Sequence, residues 1–136
     1  MTKMRVIGID YGLSKSGVSI SDPLRKIALP YKTIRYKKEN EFFKIILDIC
    51  NDKNINDIVF GYPKNMNNEL NEMTNIIDKF KERFESKNFN FFIEDERLTS
   101  QYAQKILLSQ GISTGKNKEK IDLIASTLIL QSFLDR

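Results

Sequence analysis

Four acidic residues, Asp10, Asp95, Glu96 and Asp122, lie far apart in the chain but at points where strands end or a helix begins. Asp10 closes Met4–Asp10, a short apolar run with β-branched residues, which leads directly into Tyr11-Gly12-Leu13-Ser14-Lys15-Ser16-Gly17. Asp95 and Glu96 follow a second apolar run, and Asp122 falls within two turns of the start of an apolar helix. Carboxylates that converge on a partly buried edge repel one another and stay ionised only around cations. The chain has no histidine and one cysteine, Cys50. Imidazole chemistry is therefore excluded and a zinc site lacks ligands, which leaves hard ions such as Mg²⁺ or Mn²⁺ held by oxygen. A pair of such ions about 3.5–4 Å apart can activate water and stabilise the leaving oxygen in phosphodiester cleavage. On this reading Asp10, Glu96 and Asp122 form the catalytic and metal-ligating set, with Asp95 as a further candidate ligand. Lys116, Lys118 and Lys120, just before Asp122, and Arg97, just after Glu96, are candidates to hold backbone phosphates.

Each residue also has a plain structural reading. Asp10 can cap the turn that follows it. Asp95 and Glu96 can form a solvated strand end paired with Arg97, and Asp122 can answer the dipole of its own helix. The three lysines read equally as a solvated loop. Convergence of the acids in space is what separates the two readings.

The elements that must position them follow from periodicity. Met4–Asp10 and about Gly17–Ser21 read as a hairpin, with Ala28–Arg35 as a third strand that Pro30 confines to an edge. Glu39–Asn51 reads as a helix with Phe42, Phe43, Ile46, Ile49 and Cys50 on one face, so Cys50 is expected to be a small buried hydrophobe. Ile55–Phe60 is a nearly continuous apolar run, as expected of a strand covered on both sides. A long helix is expected from about Glu69 to Ser86, a last strand over Phe89–Ile93, and a helix from Thr99 or Ser100 to Gly111. The final helix, roughly Lys118–Leu134, carries small residues Ala125 and Ser126 beyond Asp122, which would let it approach a sheet closely. Right-handed crossovers then give an α/β fold: a mixed five-stranded sheet with helices on both faces, and strands one, four and five parallel. Asp10, Gly61-Tyr62-Pro63 and Asp95-Glu96 would share one sheet edge, where open α/β sheets place ligand sites.

At 136 residues the chain is expected to be a single domain over 1–136. Its 22 Lys and Arg against 18 Asp and Glu give a net charge of +4, compatible with a nucleic-acid partner and also with simple solubility. No apolar stretch approaches the roughly 20 residues of a membrane span, and the N-terminus lacks a secretory pattern. One cysteine fits a reducing compartment, so a cytoplasmic location and no membrane partner are expected.

Four segments stand in order over essentially the whole chain: Gly8-Ile9-Asp10-Tyr11-Gly12, Gly61-Tyr62-Pro63-Lys64-Asn65-Met66, Asp95-Glu96-Arg97-Leu98-Thr99-Ser100, and Lys120-Ile121-Asp122 followed by Ala125. Together they resemble the YqgF (RuvX) family, small proteins of the RuvC-like, ribonuclease-H-like fold. Asn68 and Glu119 stand where relatives usually carry glycine. The resemblance implies a metal-dependent nuclease, a hydrolase of the two-metal type, with Asp10, Glu96 and Asp122 as its acidic set. It further implies processing of the 5′ end of pre-16S rRNA in ribosome biogenesis, so that the partner is pre-rRNA. Two alternatives go with it: a Holliday junction resolvase acting on branched DNA, and a non-catalytic RNA-binding ribosome-assembly factor. A monomer or weak homodimer is expected, since a two-fold junction substrate would favour a dimer. From a different class, actin-type ATPases also open with Gly-x-Asp-x-Gly, but they close over ATP between two such domains.

Overall fold

The computed structural model describes residues 5–62, 72–95 and 118–136, the side chains of Lys118 and Glu119 aside. The described elements are β1 (Val6–Asp10), β2 (Lys15–Ser21), β3 (Ala28–Arg35), α1 (Glu39–Lys53), β4 (Asp57–Tyr62), α2 (Glu72–Glu85), β5 (Asn90–Asp95) and α3 (Lys118–Leu134). The strands form one sheet in the order β3-β2-β1-β4-β5. β1 pairs antiparallel with β2 and parallel with β4, and β5 is parallel to β4. The mixed five-stranded sheet expected from the sequence is therefore present, with Pro30 on an edge strand beside a register shift at Val18/Ser19. The helix expected over about 100–111 and the segment 63–71 lie outside the described residues.

Strand alternation divides the core in two. Ile7, Ile9, Val18, Ile20, Ile58 and Phe60 point to the side covered by α1 and α2, where Phe42, Phe80 and Phe84 complete an aromatic core. Tyr11 packs edge-on against Phe42 and Phe80 at centroid distances of 4.8 and 5.1 Å. Cys50 is buried there, and burial pushes its thiol pKa up to about 12, as expected of an inert small hydrophobe.

On the opposite side α3 lies against the sheet, with Val6, Val59, Ile129 and Leu130 between them. Gly8 permits this approach: a Cβ there would stand 2.7 Å from Leu130 Cβ and 2.7 Å from Ser19 Oγ. Ser19 Oγ instead donates to the Ser126 carbonyl at 2.8 Å, fixing the helix's position along the sheet. The small residues Ala125 and Ser126 are both fully buried in this contact, as their size led us to expect.

Several boundaries differ from the sequence reading: α1 runs on to Lys53, β4 covers Asp57–Tyr62 in place of the expected Ile55–Phe60, β2 starts earlier and β5 ends later. β2 begins at Lys15, because Lys15 and Ser16 pair with Arg35 and Ile34 of β3. β5 runs on through Glu94 and Asp95, because Gly61 and Tyr62 of β4 are there to pair with them. Available ladder partners outweigh the low strand propensity of acidic residues.

Candidate nucleic-acid-cleaving site

Asp10 is the last residue of β1 and partly buried. It falls in the series Val6, Gly8, Asp10, so its side chain shares the α3 side of the sheet. Directly across the ladder stands Gly17. A Cβ on Gly17 would lie 2.1 Å from the Asp122 carbonyl oxygen. The backbone of Asp122 therefore sits on the residue opposite Asp10, and only a glycine leaves room for it. Opposed residues in an antiparallel pair are about 4.5–5.5 Å apart, so two acids distant in sequence become neighbours.

A cation accompanies them. Lys15 Nζ stands 3.4 Å from Asp122 Oδ2, with the two side chains 18% and 22% exposed. Lys15 opens β2, two residues before Gly17, so the hairpin that pairs with Asp10 also delivers the ammonium to Asp122.

The turn after Asp10 is fixed by a closed ring of hydrogen bonds. The Gly12 N–H donates to Ser16 Oγ at 3.3 Å, Ser16 Oγ shares a 2.5 Å bond with Tyr36 Oη, and Tyr36 Oη donates to the Gly12 carbonyl. Burial foremost, with the Asp10 carboxylate adding to it, holds the Tyr36 hydroxyl above its ordinary value of 10 and keeps it a neutral donor. Burial and then Glu39 raise Tyr11 to about 12. Gly12 belongs to the first of the four sequence segments, but the ring itself leaves no sequence signal, since Gly12, Ser16 and Tyr36 come from separate stretches of the chain.

At the neighbouring strand ends the structure sorts residues that the sequence left together. Tyr62 turns into the α1/α2 core, where its hydroxyl donates to Asp78 of α2 at 3.0 Å; it anchors a helix and does not face Asp10. Phe91 of β5 is in the same core, so Phe91, Ile93 and Asp95 form one series and Phe92 and Glu94 the other. Asp95 thus belongs to the side of the sheet opposite Asp10, which separates it from Asp122. Glu94 is on the α3 side, but Ser132 Oγ donates to its Oε2 at 2.9 Å and Arg136 pairs with its Oε1, so it ties the end of α3 to β5.

Glu96, Arg97 and Lys116 lie outside the described residues. Lys118 begins α3, and Lys120 is exposed one turn ahead of Ala125 on that helix. Among the described residues no three acidic, histidine or cysteine side chains gather closely enough to hold a metal. What is described is a pair, Asp10 and Asp122, with an ammonium already resting on the second. That arrangement fits a divalent cation: its donors are carboxylate oxygens, and it draws positive charge.

A profile of the RuvX family, described as Holliday junction resolvase, matches residues 4–136. A protein of Clostridium tetani, named as a candidate pre-16S rRNA nuclease, is 39% identical over 136 residues, covering 97% of this chain and 96% of its own. The chain belongs to the RuvX family. A second relative, named in the same way, comes from Ruminiclostridium cellulolyticum and is 39% identical over 98% of this chain and 95% of its own. RuvX is a nuclease family, so the chain is classed with hydrolases acting on ester bonds. Among solved structures, Thermus thermophilus RuvC in complex with a Holliday junction superposes with a TM-score of 0.63 at 14% identity, over 98% of this chain and 95% of that one. Fowlpox virus resolvase with junction DNA gives 0.63 at 11% identity, over 97% of each chain. At such identities the likeness is one of fold, and the fold is the RuvC-like, ribonuclease-H-like one.

Proposed function

We propose that this RuvX chain is a metal-dependent nuclease of 136 residues in one domain that processes the 5′ end of pre-16S rRNA in the cytoplasm. The observation that carries the site assignment is the seating of Asp122 on Gly17, opposite Asp10. In this reading Asp10 and Asp122 share Mg²⁺ or Mn²⁺ with Glu96, the third acid of the family motif. Asp95 is left out of the ligand set because it belongs to the other side of the sheet.

A bound divalent ion would supply an activated water and stabilise the leaving oxygen. The chain's own contribution is positional. Asp10 is held by the strand ladder and by the hydrogen-bonded ring behind it, so its carboxylate needs little reorganisation. Asp122 is held by the depth to which α3 settles on Gly17. Lys15 neutralises Asp122 in the absence of metal. Lys118, Lys120, Arg97 and Lys116 hold the phosphates on either side of the scissile bond.

The deciding experiment is cleavage of a pre-16S rRNA 5′-end substrate with Mn²⁺ or Mg²⁺, comparing the native chain with Asp10→Ala. Metal-dependent cutting lost in the variant is expected. Equal activity in both would assign the cutting to another site or a contaminant, and a preference for a four-way DNA junction would favour the resolvase reading. Binding without cutting would favour an assembly factor.

A further inference from the structure

We propose that the exposed β3 edge is a basic track that carries a single strand of nucleic acid up to the acidic edge; the proposal rests on the nuclease reading above. Residues 23–38 contain six cations and no acid. Arg25 is bound to Asp57 at 2.7 Å, Lys32 and Arg35 stand on β3, an edge strand of eight residues exposed over most of its length, and Lys37 and Lys38 follow it. At one end of β3, Arg35 pairs in register with Lys15, the residue that contacts Asp122. Lys37 and Lys38 continue from there and line an open groove with Tyr11 and Leu13, immediately after Asp10, in which Glu39 also takes part.

Midway along β3, Tyr31 is 40% exposed. Lys32 Nζ and Lys53 Nζ stand 5.3 and 5.2 Å from its ring centroid, and Arg5 lines the same hollow with Leu29 and Pro30. Eight strand residues at about 3.3 Å each span about 26 Å, the length of about eight stacked nucleotides. Cations along the strand suit a phosphate backbone, and an exposed aromatic ring midway along it offers a stacking platform for a base. Two cations and no acid on an edge strand, with Pro30 beside them, also hinder pairing with another copy, which favours a polyanion over a second β-strand as the occupant.

Fluorescence anisotropy with a labelled 12-nucleotide single-stranded RNA tests this, in an Asp10→Ala background with chelator present so that no cutting occurs. The triple variant Lys32→Gln, Lys37→Gln, Lys38→Gln should lose at least about tenfold in affinity and flatten the log–log salt slope by about 2, or 0.7 per lost contact. Tyr31→Ala should lose about tenfold with the slope unchanged. A control in which exposed Lys79 and Lys87 become Gln should bind like the parent. A triple variant with parental affinity and slope, or a control that loses as much, overturns the track. So does a triple variant that keeps RNA binding but no longer binds poly-glutamate, since the ribbon would then serve an acidic protein. Cutting by the native chain with Mn²⁺ is scored separately. If it is absent the nuclease reading fails, while anisotropy still decides the track.

Discussion

Lys15 Nζ and Asp122 Oδ2 are 3.4 Å apart, which places an ammonium where a catalytic metal would need the carboxylate. The two cations compete for one acceptor. A partly exposed pair of this kind is worth about 0.2–1 kcal/mol. Lys15→Met should therefore tighten Mn²⁺ binding, by up to about fivefold, in a calorimetric titration. Weaker binding in the variant would mean that Lys15 supports the metal site and does not compete for it.

Gly17 and Gly8 separate site geometry from stability. In Gly17→Ala the new methyl meets the Asp122 carbonyl at 2.1 Å, a backbone atom that cannot turn aside. The start of α3 must lift, so both stability, by about 1–3 kcal/mol, and Mn²⁺ affinity should fall. Gly8→Ala meets Leu130 Cβ and Ser19 Oγ farther along the helix. It should lower the melting temperature while the folded protein keeps its metal affinity. Equal metal binding in both variants would break the link between helix depth and the site.

Tyr36→Phe opens the ring that fixes the turn after Asp10, leaving the Gly12 carbonyl without this donor and the Ser16 hydroxyl proton without this acceptor. Urea unfolding should register a loss of about 1–3 kcal/mol. A change below about 0.3 kcal/mol would show that the ring adds nothing to the turn.

Asp22 provides a pH test of the β2–β3 connection. Its carboxylate accepts from the N–H groups of Ile27, Lys26 and Leu24 at 2.8, 2.7 and 3.2 Å. The Ile27 bond foremost, and then those from Lys26 and Leu24, hold it below its ordinary value of 3.8. A depressed acid stabilises the fold above its unfolded pKa, and that stability is lost as pH falls through the folded value. The native chain should thus melt higher than Asp22→Asn at pH 6, and the gap should close on acidification below about 3.8. A gap that persists at pH 2 would rule out the charge as its cause.

The succession of elements, the two-sided cover of the sheet and the burial of Cys50 could be read from apolar periodicity, and Ala125 and Ser126 announced a close helix. The phase of β5 could not. Phe91 and Phe92 are both apolar, so nothing local says which faces which core, and that phase alone decides that Asp95 leaves the Asp10 side and Glu94 joins it. Tyr62 misled for a related reason. It fell beyond the strand expected over Ile55–Phe60, whereas β4 runs on through it in phase with Ile58 and Phe60. The Lys15–Asp122 pair leaves no local signal, because a tertiary contact between a hairpin and the last helix creates it.

The most direct measurement is Mn²⁺ affinity in the native chain, Asp10→Asn and Asp122→Asn, each checked for folding by its thermal melt. Both variants should stay folded and bind Mn²⁺ at least about tenfold more weakly, since each removes one carboxylate from a shared ion. Unchanged affinity in both, or for Asp122→Asn an intact affinity with a lowered melting temperature, would make Asp122 a structural cap and contradict the metal site.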